Sequence, residues 1–370
     1  MGPRGSSASG AIMALVAKNE QDSWNESHNK LIHDARRHML QGRCQMVYGR
    51  MECKVAWSLC KGCSCATFSL TRGHCDLVSC VDLVLPPGVQ LADVASVEVA
   101  VGAETVDALV GHGAGGVETQ LRASCALLGR CVTQWPDGCT IAALPLAPLH
   151  RHNLVPPAMT NQENGELAVR VLFSTQLAPA DRDAVALHGD MYFVEDRPRH
   201  LGFNYGLPAG KGFTAKTSMM TLKHQQASSA PGAVEKPVRI GAHDRLGFSD
   251  PVALLYFHGV RPIERVTNVS LHLNGQAFYD GGVLPLVHRT RAMLLDAGYP
   301  ADSMPSDAVV LTFVPGLRFS RRQCGSINFS RIDDATLTLR IRDAAPEDQV
   351  HVVALSYKVV LMNDGALSVC

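Results

Sequence analysis

Ala335–Ile341 alternates apolar and polar side chains without a break. Ala335, Leu337, Leu339 and Ile341 fall on one side, and Thr336, Thr338 and Arg340 on the other. A period of two is the pattern of a half-buried strand, which needs both a pairing partner and a covered face. The run Val350-His-Val-Val-Ala-Leu-Ser-Tyr-Lys-Val-Val-Leu361 is β-branched and almost continuously apolar, the composition of a long buried strand. Between the two, Asp343–Asp348 contains Pro346, which cannot donate to a ladder and marks a turn. The chain therefore closes on a strand pair, entered through the polar corner Asn328-Phe-Ser-Arg-Ile-Asp333.

The same punctuation runs back through the sequence. Strand-like stretches at Ala66–Leu70, Leu77–Leu85, Val94–Val101, Thr105–Val110, Thr140–Leu144 and Glu166–Ser174 are separated by Pro86-Pro87-Gly88, Gly111–Gly116, Trp135-Pro-Asp-Gly138 and Asn161–Gly165. A second set comprises Val185–Glu195, Val238–Ile240, Val252–His258, Asn268–Leu273, Ala308–Val314 and the closing pair. Asn274-Gly275 is a hairpin signal. Helical spacing is confined to Ser27–Leu40, Thr119–Leu128 and Leu284–Ala297, and Lys216–Val234 reads as a mobile loop. Strands at this spacing without alternating helices predict antiparallel sandwiches or barrels. At 370 residues the chain can build two cores. A boundary near Leu177–Asp181 gives a leader, 1–58, a first β domain, 59–180, and a second, 181–370.

Lys plus Arg and Asp plus Glu are 34 each, so the net charge is zero. A protein that coats nucleic acid needs a basic surplus to displace counterions, and no direct nucleic-acid contact is expected. No apolar run approaches the ~20 residues of a membrane span. The first residues lack the apolar core of a signal peptide, so a reducing compartment is expected. They do match the myristoylation pattern Met-Gly-x-x-x-Ser, with Pro3 against it.

Ten of the 12 cysteines lie between Cys44 and Cys139. Cys60, Cys63, Cys75 and Cys80 are the weak candidates for a metal, set against structural thiols and disulfides. Zinc sites show two clean pairs; here Cys65 adds a third thiol to the first pair, and the second is Cys75-x4-Cys80. Cys80 sits in the apolar run Leu77–Val81, where Cys serves as a small hydrophobe. Other chemistry is thin. His150 and His152 lack a nearby third ligand, and Gly206–Gly212 lacks the spacing and the Ser/Thr of a phosphate loop. There is no Gly-x-Ser-x-Gly elbow. Asp333 and Asp334 are adjacent, hence on opposite faces of a strand, and cannot share a proton. Asp333 is expected to cap a turn and Arg331 to pair with a carboxylate or carbonyl. No catalytic residue, metal or cofactor is expected, so the chain reads as no enzyme.

The corner Asn328, Phe329, Ser330, Arg331, Ile332, Asp333, preceded by Cys324-Gly-Ser326 and followed by the strand bearing Tyr357, resembles the C-terminal signature of the major capsid proteins of nucleocytoplasmic large DNA viruses. Gly10–Asp22, Ser96–Asp107, Leu144–His150 with Leu154–Pro157 and then Leu167–Phe173, Met191–Arg197, Ser249–Tyr256 and Ser270–Gly275 resemble further stretches of that family, in the same order. The resemblance covers roughly residues 10–25 and 75–370. It implies an all-β fold of two consecutive eight-stranded jelly rolls, a double jelly roll, with a short leader and few helices. It also implies a homotrimer forming a pseudo-hexameric block that tiles an icosahedral shell. Its partners are then neighbouring capsomers, minor capsid proteins and, as a further candidate, an internal membrane. Its place is the virion, after assembly in the host cytoplasm. The alternatives are a minor capsid or scaffold protein of the same fold, and a soluble β-sandwich carbohydrate-binding protein or metalloenzyme.

Overall fold

The computed structural model describes residues 44–70, 75, 77–101, 104–111, 117–147, 149, 167–194, 217–228, 235–239, 248, 250–317, 325–329, 332–345, 348–363 and 366–369. The described residues fall in two compact units. One holds those up to Leu121 with Arg130–Leu222 and Lys358–Cys370; the other holds Arg122–Gly129 and Lys223–Tyr357.

Strands β1 (Cys44–Arg50), β2 (Cys53–Cys60), β3 (Cys63–Leu70), β4 (Leu77–Leu85), β5 (Val94–Val101) and β6 (Glu104–Val110) come first. Helix α1 (Glu118–Leu127), β7 (Val132–Gln134), β8 (Thr140–Ala143), β9 (Leu167–Phe173), α2 (Pro179–Ala184) and β10 (Ala186–Val194) follow. They form two antiparallel five-stranded sheets, ordered β1-β10-β4-β8-β7 and β2-β3-β9-β5-β6. On β3 the alternation is plain: Ser64, Ala66, Phe68 and Leu70 are buried, and Cys63, Cys65, Thr67 and Ser69 are half-buried. A carboxylate placed deep here has its partners. Asp107 is fully buried, and its two oxygens accept the backbone N–H groups of Ala108 and Ala147, each at 2.9 Å.

Two of these strands, β1 and most of β2, lie in the stretch read as a leader. The sequence hides them because β1 and β2 are sheet edges, and β2 is exposed on both faces apart from Cys53 and Trp57. Strand β10 is hydrogen-bonded between β1 and β4, from Cys44 opposite Val194 to Ala186 opposite Val84. Its pairing carries the first set of sheets to Val194, past the boundary expected near residue 181.

The second set is β11 (Thr217–Ser228), β12 (Glu235–Arg239), β13 (Pro251–His258), β14 (Val266–Leu273) and β15 (Gln276–Gly281). It continues with α3 (Val283–Asp296), β16 (Val309–Thr312), β17 (Ile327–Asn328), β18 (Ala335–Ile341), β19 (His351–Asn363) and β20 (Ala366–Val369). One sheet runs β11-β19-β13-β16, with β17 added to β13 and β20 to β19; the other runs β12-β18-β14-β15. The stretch read as a mobile loop is in large part strand β11. Its Ser- and Gln-rich composition masks a backbone that pairs with β19, and polar side chains do not prevent a ladder from forming.

The inner faces of the two sheets share one core. Val252, Leu255 and Phe257 of β13, Val309 and Leu311 of β16, and Val352 and Ala354 of β19 meet Val269 and Leu271 of β14 and Leu337, Leu339 and Ile341 of β18. Strand β13 is buried on its other face as well. There Tyr256 is fully buried, with its hydroxyl 2.9 Å from Ser124 Oγ of α1, and His224 Nε2 is 3.1 Å from that same oxygen. Asp343 and Asp348 are held by Arg265, which donates to both Asp348 oxygens (3.1 and 2.6 Å) and to the carbonyls of Arg261 and Asp343.

Set aside β2, β7, β17 and β20, and each half keeps eight strands. Numbered in order within each half, both give sheets 1-8-3-6 and 2-7-4-5, with a helix between strands five and six. That is jelly-roll topology, built twice from sequences that show no repeat.

Candidate assembly surfaces and the signature corner

The register of β2 on β3 puts Val55 opposite Phe68, Trp57 opposite Ala66 and Leu59 opposite Ser64. These three therefore point to the same side as the buried residues of β3, but β2 is the sheet edge. Trp57 is partly covered: it stacks on Phe173 at 6.1 Å, and the Arg182 guanidinium lies 5.9 Å from its ring centroid. Val55 and Leu59 stay open, 46% and 58% exposed. Another first-half edge, β1, leaves Met46, Val47 and Tyr48 about half exposed. Edges that must stay free usually carry charges, proline or a bulge. Strand β2 has one charged residue, Lys54, no proline, and an unbroken register over eight residues. In the second half, edge strand β15 exposes Phe278, and α3 exposes Leu284 and Leu295 on the side away from its buried Val283, Leu286 and Leu294.

Edge β1 is tied down by a polar cluster. Tyr48 donates to Asp82 Oδ2 at 2.9 Å, and Arg130 pairs with Asp82 Oδ1. His188 of β10 lies between, opposite both Asp82 and Arg50, with its ring edge-on to Tyr48 at 5.9 Å. Burial raises the Asp82 carboxyl above its usual range, against the pull of Arg130 and Tyr48. Burial, reinforced by the bond to Asp82, also raises the Tyr48 phenol. Burial lowers His188, and Arg50 lowers it further, while Asp82 works the other way. The cluster stitches β1 to β4 across β10. Its one trace in the amino-acid pattern is the lone Asp82 inside the apolar run of β4.

The signature corner is a plug in the second core. Asn328 pairs with Pro251, and the Phe329 N–H donates to the Asp250 carbonyl at 3.3 Å. Phe329 is fully buried between Phe248 and Phe313, each at 6.0 Å between ring centroids. Ile332 closes the turn by donating its N–H to the Phe329 carbonyl at 3.1 Å, and it too is buried. Asp333 is exposed. Its neighbour Asp334 holds the corner, exchanging bonds with Asn274 of the β14–β15 turn at 2.6 and 3.0 Å. Tyr357 is half-buried on β19. Ser330 and Arg331 lie outside the described residues, as do His150, His152, Gly206–Gly212 and the N-terminal lipidation pattern.

Of the metal candidates, Cys60 and Cys63 face each other across the β2–β3 turn, whereas Cys75 and Cys80 lie in and beside β4 of the other sheet. Cys80 is half-buried with φ at 52°, in the irregularity where β4 slips against β10. Among the described residues no three His, Cys, Asp or Glu side chains gather closely enough to hold a metal ion.

No family model and no curated protein matches the sequence. Solved structures do. A quasi-atomic model of the PBCV-1 virus capsid matches with a TM-score of 0.60 at 15% identity, over 88% of this chain and 97% of the other. A crystal structure of PBCV-1 VP54, fitted into a reconstruction of the virophage Sputnik, matches with a TM-score of 0.58 at 14% identity, again over 88% and 97%. The chain has the double jelly-roll fold. At these identities the double jelly roll is held by burial pattern and strand order, because few side chains are shared.

Proposed function

We propose that the chain is a structural subunit of an icosahedral large DNA virus capsid. Three copies form a pseudo-hexameric block, each jelly roll supplying one corner, and blocks tile the shell. The chain works by touching copies of itself, so its role is assembly rather than turnover. The observation that carries this reading is the duplication: one strand order, with a helix at the same place, is built twice in a single chain. An even pair of similar modules lets three chains approximate six-fold packing. The open apolar edges supply surface, and a ring of three copies with heterologous contacts buries it.

An obligate block of this kind buries over ~2,000 Å² per interface. Zero net charge lets blocks pack edge to edge without long-range repulsion. The neighbours are then other capsomers and minor capsid proteins, in the virion, after assembly in the host cytoplasm. The test is solution mass by sedimentation of the purified chain. The reading expects three times 39.8 kDa, and a monomer that persists at high concentration overturns it.

A further inference from the structure

The β2–β3 hairpin carries three thiols at its tip, and register decides which can meet. Cys60 and Cys63 face each other across Lys61-Gly62. The φ values of that turn, 50° and 84°, make it a two-residue turn of the type I′ kind, which holds its flanking residues face to face. Opposed residues of an antiparallel pair have Cα atoms about 4.5–5.5 Å apart. A disulfide spans about 4.4–6.8 Å.

Cys65 does not compete. It is two residues along the strand from Cys63, ~6.8 Å away, and it lies opposite Ser58. A bridge needs Cβ atoms about 3.8 Å apart. Cys53 stands at the far end of β2, opposite Leu70, its thiol pushed up to about 12 by burial. Access favours the same pair: Cys60 is exposed and Cys63 half-buried, while Cys75 and Cys125 are buried.

We propose that Cys60 and Cys63 are a reversible disulfide site, closed by a small-molecule disulfide of the glutathione class. The Cys60 thiolate attacks one sulfur of oxidised glutathione and expels a glutathione thiolate. Cys63 then gives up its contact to the Ser174 carbonyl (3.2 Å), loses its proton and attacks the Cys60 sulfur, expelling the second glutathione thiolate. Two protein thiols are oxidised, one glutathione disulfide is reduced, and the two protons end on the two glutathione thiols. The closed ring encloses only Lys61 and Gly62, so the β3–β9 ladder need not move.

The test equilibrates the full chain with oxidised and reduced glutathione, alkylates the remaining thiols, and digests with trypsin, which cuts after Lys61. The expected product links the peptides Val55–Lys61 and Gly62–Arg72 through Cys60 and Cys63. The alkylated thiols fall from 12 to ten, and excess reduced glutathione restores them. C60S and C63S each abolish the linked pair, and C65S keeps it. Thermal unfolding of each variant checks that it folds. Linkage through Cys65, linkage between chains, or a Cys60–glutathione adduct that Cys63 never resolves overturns the proposal.

Discussion

Phe329 and Phe248 meet edge to face, ring centroids 6.0 Å apart, both fully buried in the second jelly roll. The contact locks the signature corner onto the segment that enters β13, since Phe329 N–H also bonds the Asp250 carbonyl. Phe329→Ala removes a ring from a packed core and costs about 3–5 kcal/mol. Phe329→Leu keeps most of the volume and costs less. Urea unfolding of both variants checks the order, and equal small losses would show that the ring does not carry the corner.

Arg130→Met leaves the Asp82 carboxylate buried with Tyr48 alone. Breaking a buried pair from one side costs about 3 kcal/mol or more. Adding Asp82→Asn removes the charge as well and recovers much of that loss. Denaturation midpoints of the single and double variants read the coupling directly.

His188 makes stability depend on pH in a defined direction. Its folded value is depressed, so as pH falls below its ordinary ~6.5 the unfolded chain takes up the proton first. The stability it contributes is present above that pH and is lost as pH falls toward the folded value. Asp82 has the opposite sign. Its folded value is raised, so its contribution is present at low pH and is lost as pH rises through the raised value. His188→Gln therefore flattens the slope of the urea midpoint between pH 7.5 and 5.5, and the acid-side slope from Asp82 remains.

Val55→Asp and Leu59→Asp place charges on the open edge of β2. Both side chains are about half exposed in the single chain, so folding changes by less than ~0.5 kcal/mol. In an assembled seam the same charges lose water without gaining a partner and weaken association roughly tenfold or more. Sedimentation beside thermal melting separates the two effects. Unchanged association would place the seam elsewhere.

The parts legible in the sequence were those where burial imposes a period. Strand β18 was visible because Leu337, Leu339 and Ile341 face a core while Thr336, Thr338 and Arg340 do not. Asn274-Gly275 was visible because a tight hairpin needs residues that accept positive φ, and here both do, at 49° and 75°. Strands β1 and β2 were hidden because an edge has no covered face to impose a period. Strand β11 was hidden behind Ser and Gln, and β15 behind its exposure. The place of β10 depends on pairing with β1 across the whole first half. Tyr48, Asp82 and Arg130 meet only once that register is set. Asp334, next to the Asp333 expected as a cap, makes the bonds to Asn274.

Images of the purified, assembled protein test the central claim most directly. Class averages should show a block of three chains with a six-cornered outline, one corner for each jelly roll. A particle of one chain, or a two-fold dimer with no six-cornered view, contradicts the account.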